Sequence, residues 1–341
     1  MAGLKLSVAR LNLPFKAPFR ISGYTFETTD AVVVTLDDGA HRGRGEAAGV
    51  YYLDDTAEHV VAVLEGQRAA IEAGVDRQQL QELLPAGGAR NALDCALWEL
   101  ESKRSGNAVW ELAGLDPPKP LLTTFTLGAE SPAQMAESAK RYTIARALKL
   151  KLTGEAALDL QRVRAVRAAR PEAWIGVDAN QGYSIEGLQP LIAALVEFDV
   201  ALLEQPLKRG READLQGFVS AIPLAADESA LTLADVPGLV GRFDMVNIKL
   251  DKCGGLTEGL AMARAARQLG LGVMVGNMMG SSLAMAPSFV LGQLCDVVDL
   301  DGPTFLKVDP PPTISYSEGN IWCEESVWGA QSNQRTSARS A

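Results

Sequence analysis

The chain has 341 residues, nearly half of them apolar, with 32 basic against 42 acidic side chains and a net charge of −10. That balance argues against nucleic acid as a bulk partner, because phosphate binding needs clustered Lys and Arg. No apolar run approaches membrane-spanning length, and the size allows one large domain or two smaller ones.

The opening stretch "MAGLKLSVARLNLPFKAPF" is basic but has no apolar core followed by a cleavage site, so no signal peptide is expected. Cys95, Cys253, Cys295 and Cys323 are scattered without a CxxC pair, which predicts reduced cysteines and a cytoplasmic setting. His41 and His59 are the only histidines. A histidine-rich zinc site and a histidine base in the C-terminal half are both disfavoured.

In chain order, "LKLSVARLNL" alternates as a strand. "TTDAVVVTLDDGAHRGRGEA" reads as a strand, an Asp-Asp-Gly turn and a returning strand. From about residue 55 to 113 the pattern is helical; "ARNALDCALWELESKRSG" sets Ala92, Cys95, Ala96 and Leu100 at helical spacing before Gly106. This predicts an α+β unit over 1–116.

After "DPPKP" short apolar runs recur, roughly 25 residues apart: "TTFTLG", "ALKLKL", "AWIGVDAN", "VALLEQP", "IPLAADES", "DMVNIKL", "LGVMVGN" and "DVVDLDG". Most gaps between them are helical. Eight βα repeats predict an α/β fold, a (β/α)₈-type barrel over 117–306. The rival, a doubly wound open sheet, lacks a glycine-rich phosphate fingerprint after any strand. "TISYSEGNIWCEE", within the segment 307–328, is strand-like and is expected to pack back on the N-terminal sheet. The small, polar stretch 329–341 is expected to be disordered.

Barrels carry their chemistry at the C-terminal ends of the strands. The second strand ends in Lys149 and Lys151, two residues apart and therefore on one face. Taken alone that pair could also be a solvated edge. The following strands end in Asp178 and Asn180, in Glu204 and Gln205, and in Asp227 and Glu228. The sixth carries Asn247 and Lys249, then Asp251 and Lys252; the eighth ends in Asp299 and Asp301.

Three carboxylates on adjacent strands, without Cys or His, make an oxygen-only site that favours Mg²⁺. The plainer alternative is a set of surface acids paired with Arg or Lys. Asp178, Glu204 and Asp227 are the expected ligands, with Asn180, Glu228 and Asn247 supporting them from behind. Lys151 and Lys249 would flank the metal from opposite sides. A partly desolvated lysine beside a cation has a lowered pKa and can serve as a base. Two such groups can take a proton from one face of a carbon and return it to the other. Lys149 is expected to hold a substrate carboxylate.

Together "KLK" (149–151), "DAN" (178–180), "EQP" (204–206), "DES" (227–229) and "NIKLDKCGG" (247–255) resemble the enolase superfamily in its muconate-lactonizing-enzyme-like subgroup. The likeness extends over nearly the whole chain, including the "GRGEA" hairpin (43–47) of an N-terminal capping domain. Lysine bases with Mg²⁺ are a known feature of that superfamily. The resemblance implies a modified (β/α)₇β barrel, one Mg²⁺ per subunit with Mn²⁺ as a substitute, and proton exchange through an enediolate. Self-association into a homo-oligomer is common among such proteins.

The subgroup holds cycloisomerases, o-succinylbenzoate synthases, N-acylamino acid racemases and dipeptide epimerases. "VVDLDGP" looks like the Asp-x-Asp element of the epimerases, with Asp299 and Asp301 binding the substrate's free ammonium. That implies an L-Ala-Xaa dipeptide as substrate, with Thr126 among its contacts. The alternatives are another subgroup enzyme, with the Asp pair structural, or a non-catalytic barrel that binds a metal–ligand complex.

Members that prefer Ala-Glu resemble one another in an arginine five residues after a phenylalanine. Here Tyr24 holds that place after Phe19, which favours a neutral or apolar second residue. The alternative is that Arg20 or Lys16 reaches in and glutamate is kept. Tyr51, Tyr52, Met278 and Met279 are expected to form further walls, methionine suiting a permissive pocket.

Overall fold

The computed structural model describes residues 3–21 and 23–330. The chain starts with an antiparallel sheet of three strands, β1 (Lys5–Ile21), β2 (Tyr24–Asp37) and β3 (Arg42–Ala47), in the order β1-β2-β3. The β1–β2 register shifts between Pro14 and Phe19, and Pro14 brings no N–H to the ladder. Helices α1 (Ala57–Gly66), α2 (Arg68–Glu72), α3 (Arg77–Leu83), α4 (Gly88–Ser105) and α5 (Val109–Leu112) follow.

Helix α4 lies directly on the sheet, and the "GRGEA" glycines explain how. A Cβ on Gly43 would stand 2.0 Å from the Ala96 carbonyl oxygen, and one on Gly45 would stand 2.1 Å from that of Ala92. The other side of α4 meets the barrel. Its buried Asp94 accepts from the Thr257 amide (2.9 Å) and hydroxyl (2.6 Å), and Arg90 pairs with Glu258. Buried charges persist in such a layer only when paired.

Then come β4 (Leu121–Leu122), β5 (Thr124–Leu127), α6 (Pro132–Arg141), β6 (Ala147–Lys151), α7 (Ala156–Ala169), β7 (Trp174–Asp178), α8 (Ile185–Glu197) and β8 (Val200–Glu204). β9 (Leu224–Ala226) and β10 (Met245–Ile248) follow, with single 3₁₀ segments at Glu212–Leu215 and Leu233–Leu239 in place of full helices. The series closes with α9 (Leu250–Cys253), α10 (Leu256–Gln268), β11 (Gly272–Val275), α11 (Ser282–Gly292) and β12 (Val297–Val298). β5 to β12 form one parallel eight-stranded sheet in chain order, and a parallel bridge between Thr123 and Val298 joins its ends. The predicted barrel is therefore present, with all eight runs as its strands.

Outward residues such as Leu148, Leu150, Ile175 and Val177 are buried against the surrounding helices. Inside, Leu202, Ala225 and Met274 pack with Trp174 into an apolar plug. A Cβ on Gly176 would lie 2.7 Å from the Trp174 ring, so glycine leaves room for that indole beneath the strand ends.

The C-terminal strands differ from expectation. β13 (Ser315–Ser317) and β14 (Asn320–Trp322) pair with β4, which presents an open edge at the entry to the barrel, and not with the N-terminal sheet. The segment after them reaches the cap. Arg44 donates to the Val327 carbonyl (2.7 Å), Trp328 Nε1 to the Arg44 carbonyl (2.9 Å), and the Ala330 amide to Ser102 Oγ (2.9 Å). Of the stretch expected to be disordered, Gly329 and Ala330 are fixed on α4 and the remainder lies outside the described residues. Among the described residues no helix is long and apolar enough to cross a membrane.

Candidate active site

Strand register builds the site. Lys149 pairs with Gly176, Lys151 with Asp178, and Asp178 with Glu204 across neighbouring strands. Residues in register on adjacent strands share a level and a face, so one lysine and two carboxylates arrive side by side. Asp227 follows directly on β9 and Lys249 on β10. One oxygen from each of Asp178, Glu204 and Asp227 lies within 4.8 Å of the others.

All three carboxylates are buried, and lysines surround them. Lys151 Nζ donates to Asp178 Oδ2 at 2.6 Å, and Lys249 Nζ donates to Asp227 Oδ2 at 2.6 Å. Burial pushes both aspartates up, but the neighbouring ammoniums outweigh it and hold them below the usual carboxylate range. Glu204 has burial and the Asp178 charge against it, and its pKa rises to about 7. Burial and the charge of Asp227 raise Glu228 to about 8. Burial lowers the pKa of Lys249, but the charges of Asp227, Glu204 and Asp178 together more than offset this, and the net shift is upward. The depression expected from sequence was for a lysine beside a cation; beside carboxylates the sign reverses.

Asn247 Nδ2 donates to Glu204 Oε1 (2.8 Å), and the Asn180 amide donates to Asp178 Oδ1 (2.9 Å). Glu204 Oε2 has the Lys149 ammonium at 2.6 Å yet no hydrogen bond of good angle. Three buried carboxylates with an orphaned oxygen among them fit a hard divalent cation.

Lys149 lies one pleat below Lys151 and is 3% exposed. Its ammonium reaches Glu204 Oε2 (2.6 Å), Asp299 Oδ2 (2.9 Å) and Asp178 Oδ2 (3.4 Å). Its partners are three protein carboxylates. Asp299 also accepts from Thr124 Oγ1 at 2.6 Å, and Asp301 from the Thr126 amide at 2.6 Å. Burial and the adjacent Asp299 raise Asp301 to about 7.

These groups open into one cavity of about 360 Å³ between barrel and cap. Lys149, Lys151, Lys249, Asp299, Asp301 and Thr126 line its barrel side, with Asn180, Glu228, Met278 and Met279. Tyr51 and Tyr52 line it from the cap.

Three expected pocket contacts are placed elsewhere. Tyr24 stands behind the wall, its ring 4.8 Å from that of Tyr51 and 6.0 Å from that of Phe26, without lining the cavity. Arg20 points outward to Glu130 (2.9 Å), because strand alternation sends its neighbour Phe19 inward. Lys16 Nζ donates to the Thr304 carbonyl at 2.8 Å, also outside the cavity.

Two residues had no role in the sequence reading. Lys252, 3% exposed, donates to Asp227 Oδ1 (2.5 Å), the Asp227 carbonyl (2.6 Å) and the Asn247 carbonyl (3.0 Å). Asp251 Oδ1 accepts from the Ala48 and Gly49 amides, both at 3.0 Å, and so ties the cap loop to the barrel. Their signal was the spacing "KLDK", which becomes the single turn α9.

A parallel barrel that sets three carboxylates between two lysines, under a cap, is the architecture of an enzyme for metal-assisted proton transfer. Residues 5–114 match the mandelate racemase / muconate lactonizing enzyme N-terminal domain, and residues 133–300 the enolase C-terminal domain-like family. The chain belongs to the mandelate racemase / muconate lactonizing enzyme family of the enolase superfamily.

It is 39% identical to the L-Ala-D/L-Glu epimerase of Escherichia coli K12, over 90% of this chain and 96% of that protein. An enolase family member from Agrobacterium tumefaciens with homology to dipeptide epimerases, bound to sodium and L-Ala-L-Glu, matches with a TM-score of 0.91. It is 37% identical and covers 96% of this chain and 100% of that one. A dipeptide epimerase from Methylococcus capsulatus, complexed with Mg and L-Arg-D-Lys, matches with a TM-score of 0.89. It is 29% identical and covers 97% and 99% of the two chains.

Proposed function

We propose that the protein is an isomerase, a Mg²⁺-dependent dipeptide epimerase that inverts the α-carbon of the C-terminal residue of an L-Ala-Xaa dipeptide. One observation carries the reading: Lys151 and Lys249 approach the carboxylate triad from opposite ends, in a cavity that also holds Asp299 and Asp301. The relatives described above support the substrate class.

Asp178, Glu204 and Asp227 would hold the cation, which when bound supplies stabilisation of the negative charge that develops on the substrate carboxylate. One lysine, in its neutral form, takes the α-proton from one face. The other, as an ammonium, gives a proton to the opposite face, and the enediolate between the two steps is planar. Asp301, with Asp299 beside it, holds the substrate ammonium. Lys149 and Lys252 keep the carboxylates in place by neutralising them. The cap closes the cavity against water, which strengthens each of these charge contacts.

Mn²⁺ shares the oxygen preference of Mg²⁺ and would substitute for it. The four unpaired cysteines support a cytoplasmic setting. Homo-oligomerisation rests on resemblance to other members of the superfamily.

One observation favours the dipeptide over a second substrate class, the N-acylamino acids. Asp299 is already matched by Lys149 and Thr124, which leaves Asp301 as the carboxylate of the pair without a salt bridge among the described residues. An N-acylamino acid, which has no ammonium, would need neither. The test is incubation with Mg²⁺ in deuterated water, with a pool of dipeptides and N-acylamino acids, scoring each mass for one added deuteron. Exchange on Ala-Xaa dipeptides is the expected result. Exchange confined to N-acylamino acids would keep the two-lysine chemistry and remove the dipeptide.

A further inference from the structure

We infer that the side-chain subsite of this cavity takes an apolar or aromatic residue and rejects a carboxylate, so that the substrate is an L-Ala dipeptide ending in a residue such as Leu or Phe. This rests on the epimerase reading and names the substrate class within it. The carboxylate triad and the Asp299–Asp301 pair take the two charged ends of the dipeptide. What remains for the C-terminal side chain is the cap side of the cavity.

That side is apolar. Ile21, Phe26 and Tyr51 come from the cap, and Met278 and Met279 face them from the barrel. The aromatic rings are already assembled: Phe26 and Tyr51 stand 5.2 Å apart edge to face, with Tyr24 packed behind both. Such a wall binds apolar surface with little ordering cost.

The charges make the stronger case. Lys149, Lys151 and Lys249 are the cations that line the cavity, and each is engaged by protein carboxylates. Arg20 is committed to Glu130 on the outer face, and Lys16 to the Thr304 carbonyl. Arg10 is tied to Glu58 and does not line the cavity. The remaining charged groups toward the cap are Asp30, Asp55 and Glu58; Glu58 is matched by Arg10, and none of the three is a cation. A glutamate side chain would therefore lose its hydration against like charge, with no counter-cation.

The deciding experiment compares kcat/KM for epimerisation of L-Ala-L-Leu, L-Ala-L-Phe, L-Ala-L-Glu and L-Ala-L-Lys by the intact Mg²⁺-loaded protein. The expected result is at least about a tenfold preference for Leu or Phe over Glu, the scale of a polar group left unpaired in a site. A value for L-Ala-L-Glu or L-Ala-L-Lys equal to or above the apolar pair would overturn the inference while leaving epimerisation standing. Exchange on no dipeptide would overturn both. Thr28 lines the cavity from an exposed strand position, so Thr28→Lys should fold and supply the missing cation. It should move the Glu-to-Leu ratio toward Glu by about tenfold; an unchanged ratio would overturn the electrostatic basis of the inference.

Discussion

Lys151 stands directly across the β6–β7 ladder from Asp178, with its Nζ 2.6 Å from Oδ2. Lys249 repeats the contact with Asp227 at the other end of the triad. Each proposed base is therefore aimed by a proposed metal ligand. Lys151→Ala and Lys249→Ala should each lower epimerisation by about 10² to 10⁴, the usual worth of a positioned acid or base. Deuteron uptake should survive on one enantiomer only, of opposite hand in the two variants. Proton NMR in deuterated water checks this; full epimerisation by either variant would sink the two-base assignment.

Metal binding is expected to stabilise the fold as well as enable the reaction. At a Mg²⁺ concentration of 100 Kd, binding to the native state adds about 2.7 kcal/mol. A thermal melt with and without Mg²⁺ should show that rise in the unaltered protein and little of it in Glu204→Gln. An identical Tm with and without Mg²⁺ would remove the triad from consideration as a metal site.

Asp301→Asn separates substrate binding from metal binding. Asp301 is held by the Thr126 amide and, among the described residues, makes no hydrogen bond or ion pair to the triad. KM for the dipeptide should rise about tenfold or more, the cost of an unmatched ammonium, while Mg²⁺ titration is unchanged. Loss of the metal in this variant would show that the carboxylates are divided wrongly.

Asp251 gives stability a pH dependence. Burial lifts its pKa to about 7, with Asp55 adding to the rise and the Gly49 and Ala48 amides opposing it. The folded state thus holds a proton that the unfolded chain, with an ordinary aspartate pKa of about 3.9, releases earlier. This group's contribution is fully present below about pH 4 and is lost as the pH rises through about 7. Asp251→Asn keeps an oxygen for the Ala48 and Gly49 amides, so it should flatten that slope in urea titrations between these limits. A slope equal to the parent's would assign it to other groups.

How much was readable in advance follows from what each signal encodes. Strand ends such as "DAN" and "EQP" carry their charge at fixed places in an apolar run, and register then brings them together without further information. Arg20 shows the limit. Which face it takes depends on the parity of one position in β1, just past the register shift between Pro14 and Phe19, and a one-residue slip reverses the answer. Lys252 was invisible for another reason. Its role depends on a single turn of helix that bends the chain back to Asp227, and so short an element has no period to detect. The C-terminal strands were expected on the N-terminal sheet because the edge they do join, β4, is two residues long and carries almost no pattern of its own.

The docking of Val327 to Ala330 on β3 and α4 means that the cap is tied to the barrel at two places, by the linker between α5 and β4 and by this returning segment. A lid held by one linker can swing; one held at two separated points behaves more like a clasped box. Admission of substrate then falls to the short stretches that roof the cavity, around Phe26 and Thr28 and around Gly49–Tyr52, while the two layers stay locked. The same strapping makes cap and barrel a single cooperative unit, so heat should melt them together in one transition, and neither should persist when the other is cut away.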